Sequence, residues 1–255
     1  MSKIWILLGV MMCLVFTAMP AMAVELGVRG YYWLPDLDGN VSYDGDVLDA
    51  TELDLADDLG MERESYPMIE VFAGFGDHHL SFTYYQASYS GSETLDASIE
   101  FGDETYTAGA DIDSELDYTV MDFAYQWDAI DLENVLAGAS LGLIGKVKYL
   151  DITASVTEDT TDNKEEANIS VPIPMVGVNL HVGILADIIE ARLQVTGMGY
   201  SGNTVVEFLG DVSYTPFPFM DLHAGYRSFS VTVDVEDVEA DLTTAGPYVA
   251  LTIGF

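Results

Sequence analysis

The chain has 255 residues, 49% of them apolar, and its 8 Lys and Arg against 43 Asp and Glu give a formal net charge of −35. Such an excess of acids disfavours a nucleic-acid partner, because phosphate binding requires cations. After residue 23 no stretch of about twenty apolar residues occurs, which excludes helical membrane spans in that part of the chain.

The first 23 residues have the layout of a secretory signal peptide. Lys3 precedes an apolar run, and Ala21-Met22-Ala23 forms an A-x-A cleavage site. Cys13 is the only cysteine and lies inside this segment, after Met12 rather than a small residue. We therefore expect cleavage after residue 23, a mature domain of residues 24–255, and neither a disulfide nor a lipid anchor.

From residue 24 onward, short segments alternate between apolar and polar side chains with a period of two. Each segment has about the length that a tilted strand needs to cross a bilayer. The predicted strands are 24–35, 66–76, 79–90, 115–128, 135–150, 172–185, 188–199, 204–215, 220–233 and 246–255. This pattern predicts an all-β fold, a ten-stranded antiparallel transmembrane β-barrel, with eight strands as the alternative. An even number of strands places both termini in the periplasm.

The connections between these strands alternate between long and short. Residues 36–65, 91–114 and 151–170 are acidic and predict surface loops, the second as a hairpin that projects beyond the membrane. Tight turns are predicted on the opposite side, for example at 129–134 and 215–219. We expect the acidic side to face lipopolysaccharide and outer-membrane lipid. Weak binding of divalent cations is expected there, without a specific metal site or a cofactor.

The last strand alternates large apolar side chains with small or polar ones. Its apolar face consists of Val249, Leu251, Ile253 and the terminal Phe255. The pattern resembles the C-terminal insertion signal of bacterial outer-membrane barrels. The resemblance implies the barrel assembly machinery as a partner and the cell outer membrane as the location.

The charged residues on predicted lumen positions nearly balance, although the chain as a whole is acidic. They are Glu25, Arg29, Glu70, Asp122, Lys146, Lys148, Glu190, Arg192, Glu207, Asp211 and Arg227. One interpretation is a charged constriction that passes ions or small solutes, which would make the protein a narrow pore. The other is a structural ladder of ion pairs, because buried charges require partners and a ten-stranded bore is narrow. The second interpretation is favoured.

Two motifs indicate a hydrolase as an alternative to a non-enzymatic function. His79, Ser81 and Glu93 have a spacing that resembles that of the lipid A deacylases. Asp57-Asp58 with Asp77-His78 resembles the acidic pair and the Asp–His pair of the omptin proteases, but Asp77-His78 is predicted in a periplasmic turn. We predict that the protein is not an enzyme. A surface-interaction protein that uses its acidic loops is a further alternative.

Several short motifs resemble an uncharacterised family of small bacterial outer-membrane β-barrel proteins. They are Asp54-Leu-Ala-Asp-Asp-Leu-Gly-Met61, Val171-Pro-Ile-Pro-Met175, Gly225-Tyr-Arg227, Ala240-Asp-Leu242 and Gly246-Pro-Tyr with the final Phe255. The resemblance extends over nearly the whole mature chain. It implies a barrel in the outer membrane and implies no particular activity.

Overall fold

The structure is a computed structural model that describes residues 24–43, 51–56, 58–61, 64–101, 104–132, 138–161, 163–185, 188–235 and 238–255. The predicted signal peptide, residues 1–23, lies outside the described residues. Within these residues, no helix has the length and apolar character needed to span a membrane.

The described residues form fourteen β-strands. They are β1 (Val24–Trp33), β2 (Asp36–Tyr43), β3 (Thr51–Asp54), β4 (Tyr66–Phe75), β5 (His78–Thr94), β6 (Ile99–Phe101), β7 (Glu104–Tyr106), β8 (Asp111–Asp131), β9 (Ala139–Glu158), β10 (Asn163–Leu185), β11 (Ile189–Tyr200), β12 (Asn203–Phe217), β13 (Met220–Val235) and β14 (Val238–Gly254).

Ten of these strands, counted within the described part of the chain, close into an antiparallel barrel. Their order is β1-β4-β5-β8-β9-β10-β11-β12-β13-β14, and β14 returns to pair with β1. The closing register extends from Gly27 opposite Gly254 to Trp33 opposite Tyr248. The prediction of a ten-stranded antiparallel barrel is confirmed.

The barrel wall separates apolar from charged side chains residue by residue. On β8 and β9, the outward pair Phe123 and Val147 is 58% and 47% exposed, whereas the inward pair Asp122 and Lys148 is 4% and 0% exposed. A closed barrel satisfies its backbone polar groups internally, and the apolar side chains outside match the hydrocarbon of a bilayer. The protein is thus an outer-membrane β-barrel.

Several strands continue well beyond the membrane-spanning part. After a break at Leu34 and Pro35, β2 continues the first barrel strand along β14, with Asp36 opposite Ala245 and Tyr43 opposite Val238. The hairpin of β9 and β10 likewise continues to the pair Glu158 and Asn163. The prediction of loops over 36–65 and 151–170 was therefore wrong for these portions. Leu37 and Val41 on β2 do alternate with polar residues and pack in or against the buried core, but the acids and polar residues that fill these segments are typical of loops.

The outer part of β10 forms an open edge of this extended sheet. Pairing with β11 stops at Val176 opposite Gly197, whereas pairing with β9 continues for the whole strand. Pro172 and Pro174 lie in this edge portion, in the middle of β10 rather than at its start as the sequence predicted. Proline is tolerated there because its missing N–H faces no neighbouring strand.

Candidate functional site

Five charged side chains meet in the middle of the barrel. Lys148 Nζ donates to both carboxylate oxygens of Asp122, at 2.7 and 2.8 Å. Glu207 accepts from Lys146 Nζ at 2.8 Å and pairs with Arg227 Nη2 at 2.6 Å. Longer contacts of 3.3 to 3.8 Å cross-link the two groups. All five residues are at most 7% exposed, so they form one buried network in which every charge has an opposite neighbour.

Two further ion pairs follow directly from the strand register. Arg29 on β1 lies opposite Glu70 on β4, and its Nη1 donates to the carboxylate at 2.9 Å. Arg192 on β11 lies opposite Asp211 on β12, and its Nη2 donates to that carboxylate at 2.5 Å. A tyrosine completes each pair, because Tyr31 and Tyr248 donate to Glu70 and Asp211 at 3.0 and 2.6 Å.

Nine of the eleven charged residues predicted for the lumen belong to these three groups. The other two lie nearer the periplasmic end. Glu25 is exposed at the mouth of the bore. Glu190 contacts His181 at 3.3 Å, so its partner is a histidine rather than one of the predicted bases.

An aromatic layer lies next to the central network, on its extracellular side. Its members are Trp33, Tyr66, Tyr85, Tyr89 and Tyr118. Trp33 meets the rings of Tyr66 and Tyr85 edge-on at centroid distances of 5.5 and 6.2 Å. The Arg227 guanidinium lies over Trp33 at 5.0 Å and Tyr85 at 5.1 Å, which joins the two layers by cation–π contacts. The sequence analysis did not predict this layer.

An apolar cap continues the filled interior on the extracellular side. Leu55, Leu59, Ile99 and Tyr106 belong to the same buried cluster as Trp33. The Tyr106 hydroxyl donates to the backbone carbonyl of Val156 at 3.1 Å, and burial raises the pKa of this hydroxyl.

Residues 58–61 lie directly against β5 at this end. A Cβ atom at Gly91 would approach the Leu59 carbonyl oxygen to 2.0 Å, so the contact requires glycine.

A polar cavity of about 210 Å³ lies on the periplasmic side of the central network. Arg29, Arg192 and Lys146 line it together with Asn179 and Gln194. At the mouth, His79 Nε2 lies 3.0 Å from an Asp128 carboxylate oxygen. The cavity therefore lies between these periplasmic-end residues and the charged network, with the aromatic layer beyond the network.

The hydrolase alternatives do not assemble among the described residues. His79 and Ser81 face the cavity, but Glu93 lies far along the same strand, at a separation of about 45 Å from the rise of an extended strand. Asp77 lies in the periplasmic turn before β5, and Asp57 lies outside the described residues.

Among the described residues, no group of three or more His, Cys, Asp or Glu side chains is arranged to hold a metal ion. Asp36, Asp38 and Asn40 belong to the extended strand β2, paired along β14, rather than to a loop that could wrap around a cation.

Neither a protein-family profile nor a characterised protein matches the chain by sequence. Its fold is similar to solved outer-membrane barrels. The attachment invasion locus protein Ail of Yersinia pestis, solved with the heparin analogue sucrose octasulfate, is 12% identical at a TM-score of 0.40 over 90% of this chain and 99% of that chain. Neisserial surface protein A is 12% identical at a TM-score of 0.34 over 90% and 97%. The translocator domain of the autotransporter NalP from Neisseria meningitidis is 11% identical at a TM-score of 0.42 over 99% and 96%. At these values no activity or partner transfers to this chain.

Proposed function

We propose that this protein is a structural, non-conducting outer-membrane barrel without enzymatic activity, which holds an acidic β-sheet platform at the cell surface. The observation that carries the proposal is the filling of the bore. Between the periplasmic cavity and the exterior lie the charged network, the aromatic layer and the apolar cap. A narrow pore is the competing function, and the two differ in whether ions pass these layers.

Passage of an ion would have to break the central network. Lys146 on β9 contacts Glu207 on β12 at 2.8 Å, and Arg227 on β13 lies 3.6 Å from Asp122 on β8, so these buried contacts join strands that are not neighbours and cross the bore. Separating such a pair leaves an uncompensated buried charge, which costs about 3–5 kcal/mol. The aromatic layer beyond offers an ion no replacement for its hydration shell, so steady conduction is disfavoured.

Hydrogen bonds between side chains stiffen the part of the β-sheet that extends beyond the membrane on the outer side. Ser92 and Thr94 of β5 donate to Asp113 and Asp111 of β8, each at 2.5 Å. These contacts follow the register of the two strands, and they fix acidic side chains on a hydrogen-bonded sheet instead of a loose loop. The same arrangement supports a role in surface interaction, with a partner of complementary charge.

The test is conductance in planar bilayers. We expect the purified wild-type protein to show no steady large conductance. Replacing Trp33 and Tyr85 together by alanine should open a path through the aromatic layer and produce discrete openings, since Trp33 is fully buried and Tyr85 is 2% exposed.

The matched control removes aromatic side chains from the outer face of the same barrel. Trp127→Ala with Tyr125→Ala deletes side chains that are 44% and 42% exposed and face lipid. This control should remain silent. Steady conductance of the wild-type protein, unchanged by the Trp33 and Tyr85 substitutions, would contradict the proposal and favour the narrow pore.

A further inference from the structure

The outer part of β10 has a row of backbone groups that face no partner strand. Gly183 N–H donates to the Gly138 carbonyl on the β9 side, and the direction of the backbone groups alternates along a strand. The register with β9 is unbroken along β10, so odd-numbered residues bond to β9 and even-numbered residues point to the other side. Pairing with β11 ends at Val176, and within the described residues no other strand pairs with β10 beyond that point.

Four residues of this free edge keep both backbone hydrogen-bonding groups, and all four are exposed. They are Lys164, Glu166, Asn168 and Ser170. Pro172 and Pro174 follow towards the membrane and have no N–H, so the usable edge ends at Ser170. The edge from 164 to 170 is about 20 Å long, which matches a partner strand of about seven residues.

The inward face of the same stretch carries apolar side chains that are only partly covered. Ile173 and Met175 lie on this face and are 5% and 2% exposed. Ile169 and Val171 continue the face along the strand, but they are 59% and 36% exposed. Because this face points away from lipid, their apolar surface is open to water, which is unfavourable. An exposed strand edge with apolar side chains beside it is a site for pairing with another chain.

The surroundings of the edge are strongly acidic. Residues 151–170 contain six acids and one base. On the outer face, the Glu166 side chain is 46% exposed and lies 3.8 Å from Lys164. A partner strand with lysine or arginine on its outward face would therefore meet opposite charges along this edge.

A second copy of the chain does not suit the edge. Copies in one membrane have the same orientation, so two symmetric β10 edges would run parallel and place Glu165 and Glu166 beside their own counterparts. Like charges directly opposite each other destabilise a sheet. The edge therefore favours a different, basic chain.

We propose that the free edge of β10, residues 164–170, binds an extended basic segment of another protein as an additional strand. Antiparallel pairing is the more stable arrangement per residue. Apolar residues at alternate positions of the segment cover Ile169 and Val171, and the basic residues between them lie beside Glu166. Backbone hydrogen bonds supply affinity, and the alternating side chains supply specificity. This inference rests on the surface-interaction role proposed for the acidic platform and names the class of partner.

The experiment uses the mature barrel folded in detergent and a fluorescein-labelled peptide of alternating lysine and valine. We expect saturable binding, measured by fluorescence anisotropy, which weakens as salt is added. Two N-methylated peptides test the backbone pairing. In the antiparallel arrangement the lysine N–H groups face β10 and the valine N–H groups face away. Methylation of the lysine nitrogens should therefore abolish binding, and methylation of the valine nitrogens should leave it unchanged.

Protein variants test the same edge. Asn168→Pro removes the central N–H on the free side and leaves the β9 side intact, so binding should weaken by about tenfold or more. Asn168→Ala is the matched control, because it loses the same side-chain contacts with Thr153 and Glu166 but keeps the N–H, and it should bind like the wild type. Ile169→Ser removes apolar surface beside the edge and should weaken binding by about tenfold.

Three results would overturn the proposal. They are no saturable binding to the wild type, equal affinity for the two methylated peptides, and equal affinity of Asn168→Pro and Asn168→Ala. In the last case the peptide adsorbs to the acidic platform without strand pairing, so the surface role remains while the edge site is lost. If Asn168→Pro fails to fold, as judged by heat-modifiable migration, the methylated peptides decide with wild-type protein. Conductance tests the non-conducting barrel separately, so the two failures are distinguishable.

Discussion

The central network predicts a large effect when both of its lysines are removed. In Lys146→Ala with Lys148→Ala, the contacts of 2.7 and 2.8 Å to Asp122 and of 2.8 Å to Glu207 are lost. Arg227 alone then remains near the two carboxylates, at 3.6 and 2.6 Å. Breaking a buried pair costs about 3–5 kcal/mol. The two losses share carboxylates and do not add fully, so we expect about 5 kcal/mol less stability.

The same substitution leaves the central network and the two flanking ion pairs with more carboxylates than cations. Three cations then face four carboxylates, and the space left by two side chains admits water. We expect brief, cation-selective openings in planar bilayers, together with a lower urea midpoint measured by tryptophan fluorescence and by heat-modifiable migration in gels.

Two matched variants separate charge from general damage. Lys164→Ala removes a lysine that is 47% exposed and 3.8 Å from Glu166, and it should cost less than about 1 kcal/mol. Lys148→Met with Asp122→Asn removes both partners of one pair and should cost less than Lys148→Met alone. A double lysine variant as stable as the wild type, and equally silent, would refute the reasoning.

The remaining predictions concern topology, assembly and the acidic surface. A protease that cleaves after acidic residues should cut intact cells within 159–162, between β9 and β10, and not within 129–134; cleavage at 129–134 in sealed cells would reverse the barrel's orientation. Phe255 is 74% exposed at the end of the lipid-facing row of the last strand. Deleting it should lower the folded, heat-modifiable fraction in the outer membrane, while the signal peptide is still removed. An unchanged yield of folded protein would argue against the insertion signal. Chelation of divalent cations should speed proteolysis of the extracellular hairpins, because acidic side chains beside anionic lipopolysaccharide repel each other unless cations lie between them. Magnesium should restore the slower rate, and identical rates of proteolysis with and without chelator would contradict this prediction.

The membrane-spanning strands could be predicted from the sequence because lipid imposes a strict alternation. Phe123 and Val147 had to face outward, and Asp122 and Lys148 inward, for the segment to enter a bilayer. The same alternation predicted that Arg29 and Glu70 face the lumen, without showing which charged residues pair with each other. Strands outside the lipid were missed in this way, since the short apolar rows of β2 and the outer part of β10, such as Leu37 and Val41, lie in segments rich in acids and other polar residues.

The alternation of side chains along a strand could not by itself predict the aromatic layer. Tyrosine is suited equally to the lumen and to the headgroup region, so Tyr66 and Tyr118 carry no local sign that their hydroxyls meet at 2.8 Å. That contact joins residues 52 positions apart in the chain and depends on the closure of the barrel.

The sequence by itself determined the number of barrel strands, the face of each inward charge and the excess of acids, because each follows from a local period of two and from composition. Only the tertiary structure decided which charges pair and that aromatic rings pack together next to them inside the barrel. These features depend on the stagger between neighbouring strands and on contacts across the bore. Both are set when β14 pairs with β1 and closes the sheet.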